Sequence, residues 1–352
     1  MGDFGAGLFC KEVNIMDLKL YPLKFLPNMY EYVWGGNRLN SYKGLPADDR
    51  KLGESWEVSA VPGKESVVAE GCLAGKTLQE LVADYGERLL GPVVAEQFGG
   101  KFPILVKFID AAKDLSVQVH PDDSLAMARH GSFGKEEMWY VIDAEPGASL
   151  LSGFSKKISP DEYEKGVVDG SICDVISKHE VHEGDVFFIP AGRVHAIGAG
   201  IFLVEIQQSS DITYRIYDYN RLGLDGKPRQ LHTELAKDAI DYEVHDDYKT
   251  KYTVKHNEAS DIVSCRNFTV GILDADKSVV RNMRATGSFV IYICMKGTCR
   301  IRVQEGSDAS DFVDLRQGES CLVPAECADI ELVPGEGGMK ILEVYSGMSS
   351  QE

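Results

Sequence analysis

The stretch Ser116-Val117-Gln118-Val119-His120-Pro121-Asp122-Asp123 combines a strand pattern with side chains that bind metal ions. Gln118 and His120 are two residues apart in an alternating run, so in a strand both side chains leave the same face. Glu137 begins a second apolar run, and His195 follows a third. Two imidazoles, a carboxylate and an amide oxygen offered from strands or strand ends predict a mononuclear metal site with room for water or substrate.

Each member of this set also has an ordinary structural interpretation. A single buried histidine is more often a hydrogen-bonded core residue than a ligand, and Glu137 could be an exposed carboxylate at a strand end. Gln118 could bind a backbone group. Two histidines with one carboxylate would also suit iron(II) in an oxygenase, so the ligand types do not choose the metal.

The composition excludes some classes of function. The chain has 352 residues, 44% hydrophobic and 26% charged, which is ordinary for a soluble globular protein of two domains. Its formal net charge of −18 argues against nucleic-acid binding, which needs a basic surface. An anionic substrate would therefore be attracted only by a local cluster of lysine and arginine.

The eight cysteines are scattered and form no CxxC pair, which favours free thiols over a disulfide framework. No apolar run approaches the roughly 20 residues of a membrane-spanning helix, and the N-terminus lacks the pattern of a signal peptide. We therefore expect a cytoplasmic protein without a membrane partner. Residues 1–16 are interpreted as an N-terminal extension or an expression remnant.

A short unit occurs twice along the chain. Residues 318–324 repeat the order of residues 184–190, in which glycine and an acidic residue precede an apolar strand and proline. This repeat predicts a duplicated, mainly β fold of double sheets. Two helices are expected in the N-terminal half, one with Thr77 as its N-cap and one opening at Ser159. The second is expected to break near Gly166 and Gly170 and to continue as a helical piece to Lys178.

Further polar residues lie near the predicted metal site in sequence. Arg215, in the polar and aromatic stretch 207–221, would offer a cation and a fork of donors if its side chain pointed inward. Lys107 is unusual because it interrupts an apolar strand, so it either reaches outward or faces a polar cavity. Lys135 and Glu54 are further candidates, although a solvated strand or a structural turn would explain them equally well.

Six segments in the first 230 residues are similar to type I mannose-6-phosphate isomerases of the short bacterial form. They are residues 34–36, 53–57, 117–123, 134–140, 190–196 and 207–221, in the order of that family. The resemblance implies two cupin-like (jelly-roll) β domains with a small inserted helical subdomain. It implies one zinc ion per chain held by His120, Glu137 and His195, with Gln118 as a fourth ligand in some members. Glu136 departs from the family, in which threonine or proline is common.

The resemblance also implies the activity, the interconversion of mannose 6-phosphate and fructose 6-phosphate by enediol proton transfer. Arg215 is then the catalytic arginine, and Lys135 matches a lysine near the metal. Lys107, Lys135 and Arg193 are candidates for binding the phosphate, and Gln118 for contacting the substrate. The proton carrier stays open between Glu54, a zinc-bound water and an unassigned residue.

We expect residues 17–245 to form the catalytic cupin domain and residues 246–352 a cupin-like domain without metal ligands. Competing interpretations are a sugar-phosphate-sensing cupin that binds zinc without turnover, an isomerase of a related aldose, and an iron(II) cupin oxygenase. The sequence does not choose between a monomer and a homo-oligomer.

Overall fold

Strands dominate the computed structural model, which describes residues 18–304, 312–327 and 329–347. The predicted extension 1–16 lies outside these residues. The strands are β1 (Phe25–Leu26), β2 (Asn28–Gly36), β3 (Leu52–Val58), β4 (Val67–Val68), β5 (Ile104–Ala111), β6 (Val117–Val119), β7 (Glu137–Ala144), β8 (Ser149–Phe154), β9 (Ile176–Glu180), β10 (Val186–Ile189), β11 (His195–Ala196), β12 (Ile201–Gln208), β13 (Tyr214–Tyr217), β14 (Ser260–Ser264), β15 (Thr269–Ala275), β16 (Val279–Arg281), β17 (Val290–Val303), β18 (Phe312–Arg316), β19 (Ser320–Val323) and β20 (Ile330–Tyr345).

The helices are short. They are α1 (Arg38–Tyr42), α2 (Leu78–Tyr85), α3 (Glu87–Leu90), α4 (Pro92–Gln97), α5 (Asp123–His130), α6 (Pro160–Asp169), α7 (Thr233–Ala239) and α8 (Met283–Thr286), with a 3-10 turn at Ile172–Val175. Within the described ranges, no helix is both long and apolar enough to cross a membrane.

The N-terminal part contains a six-stranded sheet in the order β10-β7-β12-β5-β2-β3 and a five-stranded sheet in the order β13-β6-β11-β8-β9. Their inner faces share one apolar cluster, in which Ile109 and Leu203 of the first sheet pack with Leu150 of the second. The outer face of the six-stranded sheet is also covered, so every residue of β5 and β12 is buried. Burial on both faces explains why β5 is a nearly continuous apolar run.

The C-terminal part forms a seven-stranded sheet around the two long strands β17 and β20. Its neighbours β19-β17-β20-β15 repeat the order β10-β7-β12-β5 of the first sheet, which is the duplication predicted from the sequence. The predicted fold class, mainly β with two cupin-like domains and helical segments in the N-terminal half, is confirmed. The domain boundary between residues 245 and 246 stays a prediction.

The helix predictions are right at the N-termini and wrong at one C-terminus. The side chain of Thr77 caps α2 and that of Ser159 caps α6, each in a capping box with the acidic residue three positions later. The helix α6 does not break at Gly166. It ends at Gly170, whose φ of 81° favours glycine. The predicted helical piece to Lys178 is right only in part, because Ile172–Val175 form a 3-10 turn and the chain from Ile176 onward pairs with β8 as strand β9.

The cysteine prediction is right for most of the thiols that the structure describes. Cys173, Cys265, Cys294, Cys299 and Cys321 are not in disulfides. Cys72 is disulfide-bonded, so the expectation of free thiols is wrong at that position.

The C-terminal sheet and the N-terminal part are joined by packing and by backbone hydrogen bonds. Leu23 and Leu322 form an isolated antiparallel bridge, and the Phe289 N–H donates to the Leu90 carbonyl at 3.2 Å. At the turn that follows, Gly91 has a φ of 88°, and a Cβ atom there would lie 2.2 Å from the Gly287 carbonyl oxygen. The two backbones can therefore approach this closely only because residue 91 has no side chain.

Substituting Gly91→Ala should lower the free energy of unfolding by about 3 kcal/mol, because the methyl group meets backbone and the φ angle disfavours alanine. Gly99→Ala is the matched control. Gly99 also has a positive φ, but a Cβ atom there has nothing within 4 Å, so we expect a loss of only about 1 kcal/mol. Equal losses for the two variants, measured by denaturant unfolding, would show that the contact with Gly287 contributes nothing.

Candidate metal and substrate site

The register of the five-stranded sheet sets three predicted site residues side by side. Gln118 on β6 pairs with His195 on β11 and with Arg215 on β13. Directly opposed residues of neighbouring strands point to the same face of a sheet. The alternation predicted for the run around Gln118 therefore places an amide, an imidazole and a guanidinium in one row.

A second row lies on the six-stranded sheet. Lys107 on β5 pairs with Trp56 on β3 and with Glu205 on β12, and Glu205 pairs in turn with Trp139 on β7. Glu137 is two residues before Trp139 on the same strand, so the two side chains share a face. The Trp139 ring meets His195 edge-on at 5.3 Å between ring centroids, so the two polar rows face each other across the sandwich.

His120, Glu137 and His195 converge between these two rows. One ligand atom from each lies within 4.8 Å of the others, and all three residues are buried. The Nε2 atom of His120 is 3.2 Å from Glu137 Oε1, and that of His195 is 3.7 Å from Glu137 Oε2. The three ligands that the sequence predicts as the core of the metal site are therefore brought together.

Backbone carbonyls orient both imidazoles. The Nδ1 atom of His120 lies 2.8 Å from the Ile212 carbonyl oxygen, and that of His195 lies 2.8 Å from the Arg193 carbonyl oxygen. A carbonyl can only accept, so each Nδ1 carries the proton and each Nε2 directs a lone pair at the shared centre. This is the arrangement that histidine needs to bind a metal ion.

The electrostatics of the cluster favour the same protonation states. Burial, with the nearby Lys135 ammonium, lowers the pKa of His120 to about 4, and burial also lowers the pKa of His195. Although burial opposes ionisation of Glu137, Lys135 and His120 hold its pKa well below the usual range. The cluster is thus two neutral imidazoles and one carboxylate at neutral pH.

Neither oxygen of the Glu137 carboxylate accepts a hydrogen bond within the described residues, although Lys135 Nζ lies 2.7 Å from Oε1. Lys135 compensates the charge at Oε1, but Oε2 has no donor in the described part of the chain, and a bound cation would remove the cost of burying it so. The donor set therefore fits a divalent metal ion. Gln118 also lies beside the cluster, with its side-chain nitrogen 3.3 Å from His195 Nε2.

A cavity of about 260 Å³ opens beside the cluster. Five cationic and three acidic side chains are among the residues that line it: Lys64, Lys107, Lys135, Arg215, Arg229, Glu54, Glu205 and Asp211. This excess of positive charge stands out in a chain whose formal net charge is −18. The cavity therefore fits an anionic small molecule.

The structure brings most of the predicted substrate residues to this cavity. Glu54 accepts hydrogen bonds from Trp56 Nε1 at 2.7 Å and from the Tyr32 hydroxyl at 3.3 Å. Arg215 donates to the Ser116 hydroxyl at 3.3 Å and to the Gln230 carbonyl at 2.9 Å. These contacts fix both side chains at the wall of the cavity.

Lys107 faces the cavity rather than reaching outward. Its ammonium lies 3.0 Å from Glu205 Oε1 and 4.9 Å from the centre of the Trp56 ring. Burial alone would lower the pKa of Lys107, but the carboxylates of Glu205 and Glu54 outweigh it and raise that pKa. Lys107 is therefore a permanent cation at this wall.

Arg193 is the predicted site residue that the structure does not bring to the cavity lining. Its guanidinium donates to the Phe188 carbonyl at 2.8 Å and lies 4.9 Å from the centre of the Tyr248 ring. The part of Arg193 that serves the site is its backbone carbonyl, which orients His195.

Sequence reasoning missed several residues of the cavity wall, among them Lys64, Trp56, Glu205, Asp211 and Arg229. Glu205 left a detectable signal, since it is an acidic residue in an apolar strand, as Lys107 is a basic one. Lys64 lies in a turn and Arg229 in a loop, where a charged residue is ordinary and carries no signal of its own.

Known proteins resemble the chain in both sequence and structure. The family model for the catalytic domain of phosphomannose isomerase type I matches residues 22–146. A mannose-6-phosphate isomerase of Streptococcus mutans is 35% identical over 304 residues, covering 86% of this chain and 92% of that protein. The mannose-6-phosphate isomerase ManA of Bacillus subtilis is 36% identical over 256 residues, covering 71% of this chain and 78% of that protein.

The fold agrees with these sequence matches. The crystal structure of a mannose 6-phosphate isomerase from Bacillus subtilis superposes with a TM-score of 0.81 at 29% identity, covering 92% of this chain and 99% of that one. Sequence and fold similarity both extend over most of the chain, and the family resemblance predicted from six short segments is confirmed. The chain belongs to the type I phosphomannose isomerase family, a family of aldose-ketose isomerases.

Proposed function

We propose that this protein is a zinc-dependent isomerase that interconverts mannose 6-phosphate and fructose 6-phosphate. The observation that carries the proposal is the cavity with an excess of cations that opens beside the buried His120, Glu137 and His195. The substrate named for the relatives, a sugar phosphate, has the charge that this cavity favours. A cytoplasmic location, predicted from the sequence, is part of the proposal.

Zinc is the proposed metal, with His120, Glu137 and His195 as its ligands and Gln118 as a fourth. Two neutral imidazoles and a carboxylate are ligands that zinc accepts in catalytic sites, which keep a position open. When bound, zinc would act as a Lewis acid toward the oxygen atoms at the reacting carbons. Lys135 lies 3.3 Å from His120 Nε2 and would supply a further positive charge beside the ligands.

The reaction moves one proton between two neighbouring carbons of the open-chain sugar. A base removes the proton from C2 of the aldose, the C–H electrons form the C1–C2 double bond, and the electrons of the C1 carbonyl π bond move to O1. The hydroxyl proton passes from O2 to O1, the C2 carbonyl forms, and the same base returns its proton to C1. Arg215 is held by Ser116 and Gln230 at the cavity wall, where its fixed donors would stabilise the charge that grows on the sugar oxygens. Because these donors are already in place, little reorganisation energy is needed at the moment of reaction.

Glu54 is the carboxylate that we propose as proton carrier. It lines the cavity without an ion-pair partner among the described residues, whereas the other two acidic groups of the wall, Glu205 and Asp211, each face a lysine. Hydrogen bonds from Trp56 and Tyr32 hold Oε2 and leave Oε1 available. A general base must lie within hydrogen-bond reach of the proton that it moves, and Glu54 is fixed in the same cavity as Arg215.

Chelation should abolish turnover of mannose 6-phosphate, and added zinc should restore it, in a coupled assay that detects fructose 6-phosphate. A second readout is independent of activity: zinc should raise the melting temperature, because it binds the folded state. His120→Asn should remove that shift. Activity that persists in protein shown by metal analysis to be free of metal would contradict the zinc proposal. A folded, zinc-loaded protein without turnover would contradict the isomerase.

Replacing Arg215→Ala should lower kcat by about 10²–10³-fold, the loss typical of removing one fixed donor to a developing charge. Zinc content should stay unchanged. The matched control is Arg302→Ala, since Arg302 is an exposed residue that pairs with Glu331 on the C-terminal sheet. Turnover near that of the wild type, in a folded and zinc-loaded Arg215→Ala variant, would rule out the role of Arg215.

Replacing Glu54→Gln should lower kcat by at least about 10²-fold, because the amide cannot carry the proton but still accepts the hydrogen bond from Trp56. Exchange of the C2 hydrogen with deuterated water, followed by NMR, should fall by the same factor. If turnover and exchange both persist, another group moves the proton.

A further inference from the structure

Two lysine ammonium groups lie over the Trp56 ring. The Lys107 ammonium lies 4.9 Å from the centre of the indole ring, and the Lys64 ammonium lies 4.7 Å from the same point. Lys64 comes from the turn between β3 and β4, and it also lies 5.9 Å from the centre of the Tyr30 ring. Cations are attracted to the faces of aromatic rings, so the buried Trp56 holds both lysines at the cavity wall.

The turn under Lys64 is fixed by its own hydrogen bonds. The Lys64 N–H donates to the Val61 carbonyl at 2.9 Å, and the Asn28 side chain donates to the Lys64 carbonyl at 3.3 Å. Val61 packs against Trp56 and Leu105 in a small apolar cluster. The backbone below Lys64 is therefore anchored, and the contacts with Trp56, Tyr30 and Asp211 position its ammonium group.

The cations of the cavity differ in how firmly they hold their carboxylate partners. Lys107 and Glu205 form a buried pair, with side chains 6% and 4% exposed. Arg229 makes two hydrogen bonds to Asp218, at 2.7 and 2.6 Å. The Lys64 ammonium pairs with Asp211 at 3.1 Å, and these side chains are 37% and 46% exposed.

An exposed ion pair contributes little to stability, so Lys64 can give up Asp211 at small cost. Breaking the buried Lys107–Glu205 pair would instead leave an uncompensated buried charge. A phosphate dianion carries more charge than the Asp211 carboxylate and offers more acceptor oxygens. Of these three cations, Lys64 is the one that can exchange its carboxylate partner for a phosphate group.

We propose that Lys64 binds the phosphate of the substrate by exchanging the Asp211 carboxylate for phosphate oxygens, and so selects phosphorylated sugars. This inference rests on the proposed function, because it names the group that recognises the phosphate of that substrate. In the free protein the partly exposed Lys64–Asp211 pair joins the β3–β4 turn to the loop between β12 and β13 at the cavity wall. The incoming phosphate replaces this pair, so recognition of the phosphate and entry into the cavity are one event.

The decisive variant is Lys64→Met, which keeps an unbranched apolar stem on Trp56 and removes the charge. Its KM for mannose 6-phosphate should rise about tenfold, the effect of losing one charge-assisted contact, while kcat should stay within about twofold. Lys64→Arg should restore most of the affinity. Lys101→Met is the matched control, because Lys101 also lies over an aromatic ring, that of Phe133 at 5.7 Å, but does not line this cavity.

Two further probes separate phosphate recognition from a general packing role. Inorganic phosphate should inhibit the wild type competitively and inhibit Lys64→Met about tenfold more weakly. Turnover of unphosphorylated mannose, where measurable, should be the same in both proteins. Equal KM values for mannose 6-phosphate in the wild type and Lys64→Met would overturn the inference, and so would an equal loss with the phosphorylated and the unphosphorylated sugar.

Failure of the proposed function would look different. The zinc-loaded wild type would then not convert mannose 6-phosphate at all. In that case, calorimetric titration with inorganic phosphate tests Lys64 by itself. Binding that is about tenfold weaker in Lys64→Met than in the wild type and Lys101→Met supports the phosphate site, and equal or absent binding refutes it.

Discussion

The pairing of β6 with β11 and β13 is the constraint on which the site depends. Gln118 opposes both His195 and Arg215, so one register fixes the candidate metal ligand and the arginine on the same face. A shift of one residue would turn the whole row to the other face. The buried apolar residues that alternate with this row, such as Val117 and Val119, make such a shift costly.

The charge of the cavity is opposite in sign to the net charge of the molecule. A chain with a formal net charge of −18 repels an anion at long range, yet the cavity is lined by more cations than carboxylates. Lys107 and Lys135 are kept in place by the buried acidic groups Glu205 and Glu137. Buried acids of this kind need a compensating charge, and the two lysines supply it.

The fold class and the convergence of His120, Glu137 and His195 could be predicted because short sequence patterns carry the signals. Strand alternation around Gln118 and His120 lies within about ten residues, and each copy of the glycine, acid, strand and proline unit is equally short, although the two copies are far apart in the chain. The capping residues Thr77 and Ser159 are equally local. What could not be predicted depends on contacts between distant segments. The residues from Ile176 onward form a strand because β8 is available to pair with them.

The same reasoning applies to Arg193 and to the cavity residues that sequence analysis did not single out. Arg193 was predicted to bind phosphate, but its guanidinium contacts Phe188 and Tyr248, and only its carbonyl serves the site. Lys64 and Asp211 are 147 positions apart in the chain, and their meeting across the cavity follows from the arrangement of the two sheets. No pattern within either segment contains that information.

The sheet that carries Lys107, Glu205 and Glu137 has no solvent-facing side at these strands. Its outward residues, including Phe108 and Phe202, pack in one cluster with Ile291 and Leu342 of the C-terminal sheet. Each site residue on β5 and β12 is thus one peptide bond from a side chain buried against the second sheet. The C-terminal sheet therefore supports the strands that line the cavity. A change of side-chain volume where the two sheets pack would displace the charged groups in the cavity.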